Sequence, residues 1–155
     1  MSAIRQRLSD LGLKLPPAPP PPVAAYLPAV RSGSLLFIAG QIPFADGELL
    51  ARGPVPSATS LEEAQAAAAQ CALNGLAAAG AMLEGDLDRI RRIVRLGVFV
   101  ASDPGFYDQP KVADGASELL HAIFSEAGRH VRAAVGCLAL PLNASVEVEM
   151  TIEVR

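Results

Sequence analysis

Residues 145–154, just before the C-terminal arginine, alternate without a break. Val146, Val148, Met150, Ile152 and Val154 fall on one side, and Glu147, Glu149, Thr151 and Glu153 on the other. Successive side chains of a strand point to opposite faces, so the pattern predicts a strand over 145–154 with one apolar and one polar face. The apolar face needs a covering layer, and the chain supplies helices for it. Ser60-Leu61-Glu62-Glu63 reads as a capping box opening a helix over about 60–83. Ala64, Ala68, Cys71, Gly75, Ala79 and Met82 recur on it at helical spacing. These side chains are small, which predicts close approach to whatever the helix covers. They also account for part of an excess of 28 Ala and 13 Gly in 155 residues.

The remaining elements follow from period and punctuation. Ala29–Arg31 and Leu35–Ala39 flank Ser32-Gly33-Ser34 and predict a hairpin, with Gly40-Gln41-Ile42-Pro43 closing it. Leu49-Leu50-Ala51 adds a short strand. Residues 91–101 predict a strand with Val94, Leu96, Val98 and Val100 on one face and Arg91, Ile93, Arg95, Gly97 and Phe99 on the other. A second helix is expected from Gln109 or Pro110 to Ala127, with proline at its start and Gly128 past its end. Val131–Leu140 reads as a strand, and Pro141-Leu142-Asn143-Ala144 is short enough to join it to 145–154 as a hairpin. The order β-β-(β)-α-β-α-β-β predicts an α+β fold, with a mixed six-stranded sheet and two helices on one face. The other face would carry Arg91, Arg95, Arg132, Glu147 and Glu149 with Phe99, Ile93 and Leu138 nearby. That mixture of ionic and apolar groups predicts packing against further copies of the chain. Residues 1–22 divide off as a short helix (2–12) and a run of prolines from Pro16 to Pro22, which suits a stiff polyproline spacer. Residues 23–155 form the folded domain.

Composition narrows the function. The net charge is −3 and aromatics are 5%, so neither a cationic footprint for a phosphate backbone nor stacking platforms for bases are available, and no nucleic-acid partner is expected. Cys71 and Cys137 stand at no metal-ligand spacing from His121 and His130, so neither metal nor cofactor is expected. No signal-peptide core or apolar run of membrane length occurs, which predicts a cytoplasmic protein with no membrane partner.

Arg132 is the first candidate for chemistry. It opens an apolar strand and is followed on its own face by Ala134 and Gly136, so a small anion has room beside a guanidinium fork. The structural alternative is an intersubunit ion pair to Glu147 or Glu149. Glu147 is the second candidate, as a group that orients or deprotonates a water, against a solvated strand carboxylate. Tyr26, after the proline run, can lay its ring over a small cleft or anchor the arm to the surface. Gly115 lies inside a predicted helix, where glycine costs about 1 kcal/mol. That cost implies a close backbone approach, with Asp114 at the edge of an interface or a pocket. His130 reads as structural, and His121 as a surface or core-edge residue.

Together these residues resemble the RidA/YjgF-type family. Tyr26, the stretch from Ser32-Gly33 to Ala39-Gly40-Gln41-Ile42-Pro43, and the Ala-rich helix are similar to its front half. Arg132 through Leu140-Pro141 to Val146-Glu147-Val148-Glu149 is similar to its C-terminal signature at matching spacing, and the likeness spans about residues 24–155. The resemblance implies a chorismate-mutase-like fold and a homotrimer with clefts between subunits. It implies hydrolysis of reactive enamines and imines, such as 2-aminoacrylate, to 2-keto acids and ammonia. By the same resemblance Arg132 would clamp the substrate carboxylate, and the backbone at Ala134 would hold the amino or imino group. Glu147 would position the attacking water, Tyr26 would close the cleft from a neighbouring subunit, and Ala39, Gly40 and Asp114 would line it. The sequence departs from the family at Ala39 (often Ser), Asp114 (Asn) and Ala134 (Cys in founding members). A non-catalytic binder of small carboxylates or keto acids and an endoribonuclease are the other two readings.

Overall fold

Val146, Val148, Met150, Ile152 and Val154 are all buried, and the four residues between them are all half-exposed, as the alternation requires. The computed structural model describes residues 2–17 and 24–155. In chain order its elements are α1 (Ala3–Asp10), β1 (Ala29–Ser32), β2 (Leu35–Gln41), β3 (Phe44–Ala45), β4 (Glu48–Leu49), α2 (Leu61–Met82), β5 (Ile90–Ala101), α3 (Gln109–Phe124), β6 (Val131–Cys137) and β7 (Val146–Val154). The fold is α+β, with α2 and α3 on one face of a mixed sheet. The main sheet has five strands, in the order β1-β2-β7-β5-β6. The extra strand expected near Leu49 instead pairs with β3 in a separate two-stranded ribbon.

α2 forms where the capping box placed it. Ser60 Oγ accepts from the Glu63 N–H, and the Glu63 carboxylate accepts from the Ser60 N–H. Its small residues do bring it close to the sheet. A side chain on Gly75 would meet Met150 Sδ at 2.8 Å. α3 stops at Phe124, short of Ala127, and passes into a 3-10 turn over Ser125–Gly128. The anticipated close approach at Gly115 is to α2, because a Cβ there would strike the Gln65 backbone. Ser2 caps α1, and Asp88 accepts from Ser2 Oγ and the N–H groups of Ala3 and Ile4. Leu8 of α1 is buried in the common core. Of the proline run, Pro16 and Pro17 are described and the rest lies outside the described residues.

Three expectations about the sheet are corrected. β6 and β7 do not form a hairpin. β6 ends at Cys137, and β5 lies between the two, parallel to β6 and antiparallel to β7. Ile93 faces the helices and is fully buried, whereas Val94 is only partly so. Bulges at Arg91 and Val94 give β5 an extra residue opposite β7 each time, and each extra residue reverses the alternation. Ile90, Ile93, Leu96, Val98 and Val100 therefore share the core face. Finally, Arg132 is not on the ionic face. It is in register with the fully buried Leu96, so its side chain rises on the helix side.

Candidate functional site

Arg132 projects from the outermost strand β6 against α3. Its Nη1 donates to Asp114 Oδ1 at 2.8 Å and to Ser117 Oγ at 3.0 Å, and its Nη2 donates to the Pro110 carbonyl at 3.1 Å. Within the chain, the ion pair of Arg132 is to Asp114. A guanidinium has five N–H donors, and among the described residues Nε–H and one Nη2–H remain without a partner. The Arg132 side chain is 26% exposed.

Ser117 and His130 brace the arginine from behind. His130 Nδ1 lies 2.7 Å from the Gly128 carbonyl and Nε2 lies 2.9 Å from Ser117 Oγ. The carbonyl only accepts, so Nδ1 carries the proton and Nε2 accepts from the Ser117 hydroxyl. Ser117 Oγ in turn accepts from Arg132. Burial, with the Arg132 charge adding to it, holds the His130 pKa below its usual value, while the bond to Gly128 works the other way. The neutral tautomer this network needs is thereby favoured. Ser117, His121, Arg129, His130 and Arg132 line an open groove of about 480 Å³. Nothing in the spacing of His121 and His130 along the sequence signals that they share a groove.

The backbone beside Arg132 is also open. The Cys137 carbonyl accepts from the Ser102 N–H, so the polar groups of Cys137 point toward β5. Alternation along the strand turns those of Arg132, Ala134 and Gly136 to the free edge. Ala134 thus presents an N–H and a carbonyl next to the guanidinium. Gly136 leaves less of a hollow than its size suggests, since a Cβ there would meet Gln109 Nε2 at 2.8 Å.

Glu147 lies on the opposite face of the sheet. It is in register with Phe99, which is in register with Val135. By strand spacings its Cα is about 14 Å from that of Arg132. A bulge sets Ala39 and Gly40 between the paired Ile38 and Gln41, and the Glu147 carboxylate occupies the place a Gly40 side chain would take. Gly40 is thus needed for close approach, and with Glu147 it forms a second cluster. Burial, and next the Glu149 charge, push the Glu147 carboxyl above the usual carboxylate range. Burial and then the Glu147 charge push the Cys137 thiol up, which disfavours it as a nucleophile. Beside this cluster Arg95 pairs with Glu149 at 3.0 Å. Tyr26 is 59% exposed just ahead of β1, the other edge of the sheet. Four strand spacings, about 19 Å, separate that edge from β6. One chain therefore brings Arg132, Asp114 and Ala134 together, and separately Glu147 and Gly40 with Ala39 next to them. It does not bring the two groups, or Tyr26, to one point. Among the described residues no three His, Cys, Asp or Glu side chains cluster as metal ligands, and no helix is long and apolar enough to cross a membrane.

Protein TCP17 of Trypanosoma cruzi is 43% identical over 153 residues, covering 98% of this chain and 94% of that one. The crystal structure of Atu1372 from Agrobacterium tumefaciens, of unknown function, superposes with a TM-score of 0.91 at 44% identity over 99% of this chain and 94% of that one. A "putative endoribonuclease" from Shewanella oneidensis gives 0.92 at 34% identity over 97% and 99% of the two chains. RidA from an Antarctic Psychrobacter is more distant, with a TM-score of 0.59 at 27% identity over 88% and 94%. Residues 5–154 match the family described as "YjgF/chorismate_mutase-like, putative endoribonuclease", a span that takes in most of α1 as well as the domain behind it. With the fold, the signature around Arg132 and these likenesses in agreement, the chain belongs to the YjgF/chorismate mutase-like family.

Proposed function

We propose that the protein is a hydrolytic deaminase of reactive 2-imino acids and their enamine tautomers, working in clefts between the copies of a homotrimer. The observation that carries this reading is the free guanidinium edge of Arg132 beside the open backbone of Ala134. A carboxylate seats on the two free N–H groups, and the adjacent nitrogen reaches the Ala134 carbonyl. Water adds to the imine carbon and ammonia leaves. Written for the protonated imine, R–C(=NH2+)–COO− and H2O give R–CO–COO− and NH4+. Such hydrolysis needs little beyond orientation of substrate and water.

Glu147 and Tyr26 join this site only if a second copy supplies them. The assembly is supported by the apolar side chains left open at both edges of the sheet. Val30, Leu27 and Phe37 lie near the β1 edge, and Val131, Val135 and Leu138 near β6, with Leu138 94% exposed. Unlike edges that meet head to tail generate a ring where the rotation between copies closes.

A non-catalytic carboxylate-binding protein is the second reading, and one observation favours it: Glu147 and Arg132 stand on opposite faces of the sheet. An endoribonuclease fits less well. His121 and His130 share a groove, but His130 Nε2 is already taken by Ser117, so the pair is not free for acid–base cleavage. The test is 2-keto acid release from an enzymatically generated 2-imino acid, with mass measured in solution. The deaminase reading expects acceleration over buffer, loss of it in Arg132→Ala with the trimer retained, and a larger effect of Glu147→Gln on turnover than on affinity. No acceleration by the wild-type protein, with 2-keto acid binding through Arg132 intact, establishes the binder instead.

A further inference from the structure

The partner of Arg132 bears on what the site accepts. Asp114 contributes Oδ1 to the ion pair, while Oδ2 has no hydrogen-bond partner among the described residues, and the side chain is 44% exposed. The site therefore has two donors without partners, Arg132 Nε–H and one Nη2–H, and two such acceptors, Asp114 Oδ2 on the carboxylate paired with the guanidinium and the Ala134 carbonyl on the free edge of β6. A plain carboxylate satisfies only the donors. It also sets a second negative charge beside Asp114, in a cluster whose own charges already cancel.

We propose that Asp114 makes this a site for zwitterions: ligands whose carboxylate sits on Arg132 and whose adjacent carbon carries a protonated nitrogen facing Asp114. This inference rests on the reading that Arg132 holds a ligand carboxylate. It assigns Asp114 the discriminating role, one that an asparagine at this position would not play. It also favours release of the product. The protonated imine enters as a zwitterion and compensates Asp114. Hydrolysis carries the positive charge away as ammonium, and the remaining keto acid is a bare anion that Asp114 repels. The pair thus disfavours product and releases it.

The test compares probes of one carbon skeleton on the wild-type protein by isothermal titration at pH 7: L- and D-alanine, pyruvate and propionate. The expected result is that at least one alanine enantiomer binds about tenfold or more tightly than pyruvate and propionate. Asp114→Asn is expected to abolish that preference, chiefly by tightening pyruvate. Pyruvate or propionate binding as well as alanine to the wild-type protein, with both lost in Arg132→Ala, overturns the zwitterion inference and leaves the carboxylate clamp standing. An unchanged preference in Asp114→Asn also overturns it. Binding that survives Arg132→Ala, or no binding of any probe, overturns the clamp itself and this inference with it.

Discussion

Replacing Gly115 by alanine sets two physical effects against each other. Helix propensity alone favours alanine at an interior position by about 1 kcal/mol. The structure opposes this. A Cβ at Gly115 would strike the carbonyl oxygen of Gln65 and lie 2.7 Å from its carbonyl carbon and 2.9 Å from its Cα. These are backbone atoms of α2 and cannot rotate aside. Restoring ordinary contact to that oxygen requires α3 to move off α2 by more than about 1 Å, in an interior packed to crystal-like density. Overpacking of this kind costs about 1–3 kcal/mol, and an unyielding backbone neighbour places this case at the upper end. After the gain in propensity, Gly115→Ala is expected to destabilise the protein by about 2 kcal/mol. For a chain of this size that lowers Tm by roughly 4–8 °C. Urea unfolding of wild type and variant, with equal m-values, measures the difference. The same shift displaces Asp114, Ser117 and the Pro110 carbonyl relative to Arg132, so carboxylate binding should weaken in parallel. A variant as stable as the wild type, or more so, would show that propensity outweighs the helix–helix contact and would refute the reasoning.

Three other perturbations have defined signs. Ser60→Ala removes the reciprocal capping bonds of α2 and should cost about 1 kcal/mol in urea unfolding, and a cost near zero would mean the helix end is held by packing alone. Glu147 has a carboxyl pKa raised in the fold, so the fold loses stability as pH rises through that value and the group ionises; Glu147→Gln should therefore raise Tm at pH 7 more than at pH 4, and an equal change at both contradicts the assignment. The His130 pKa is lowered in the fold, so stability is lost as pH falls below about 6.5 toward the depressed value, where the unfolded chain takes up a proton first. Thermal melts from pH 7 to 5 should show a shallower decline in His130→Gln than in wild type, and parallel curves would exclude His130 as a source of that decline.

The candidate site was legible residue by residue and much less so in its geometry. Residue types and spacing single out Arg132, Ala134 and Glu147, the family resemblance adds Gly40, and each lies where the chain exposes or crowds a polar group. Their grouping was not legible. The pattern predicts Arg132 on one face with Glu147, and a short link predicts that their strands are neighbours. β5 lies between those strands and Arg132 rises on the other face. Asp114 was noted as flanking a close approach, but nothing in the spacing identified it as the partner of Arg132. Nor did the spacing bring His121 and His130 to one groove.

What the sequence determined by itself is what depends on period and on neighbours a few residues away. The strict alternation of residues 146–154 specifies a strand with one buried face whatever it pairs with. The Ser60–Glu63 box and the small residues behind it specify a capped helix able to lie close to a sheet. The Arg132 to Glu149 spacing is enough to indicate the family. Tertiary structure decided the rest, for an equally definite reason. A one-residue bulge reverses which face a side chain takes, and strand order is chosen by the packing of whole elements. Period carries neither, so the two bulges in β5, the place of β5 between β6 and β7, and the meeting of Arg132 with Asp114 appear only once the chain is folded.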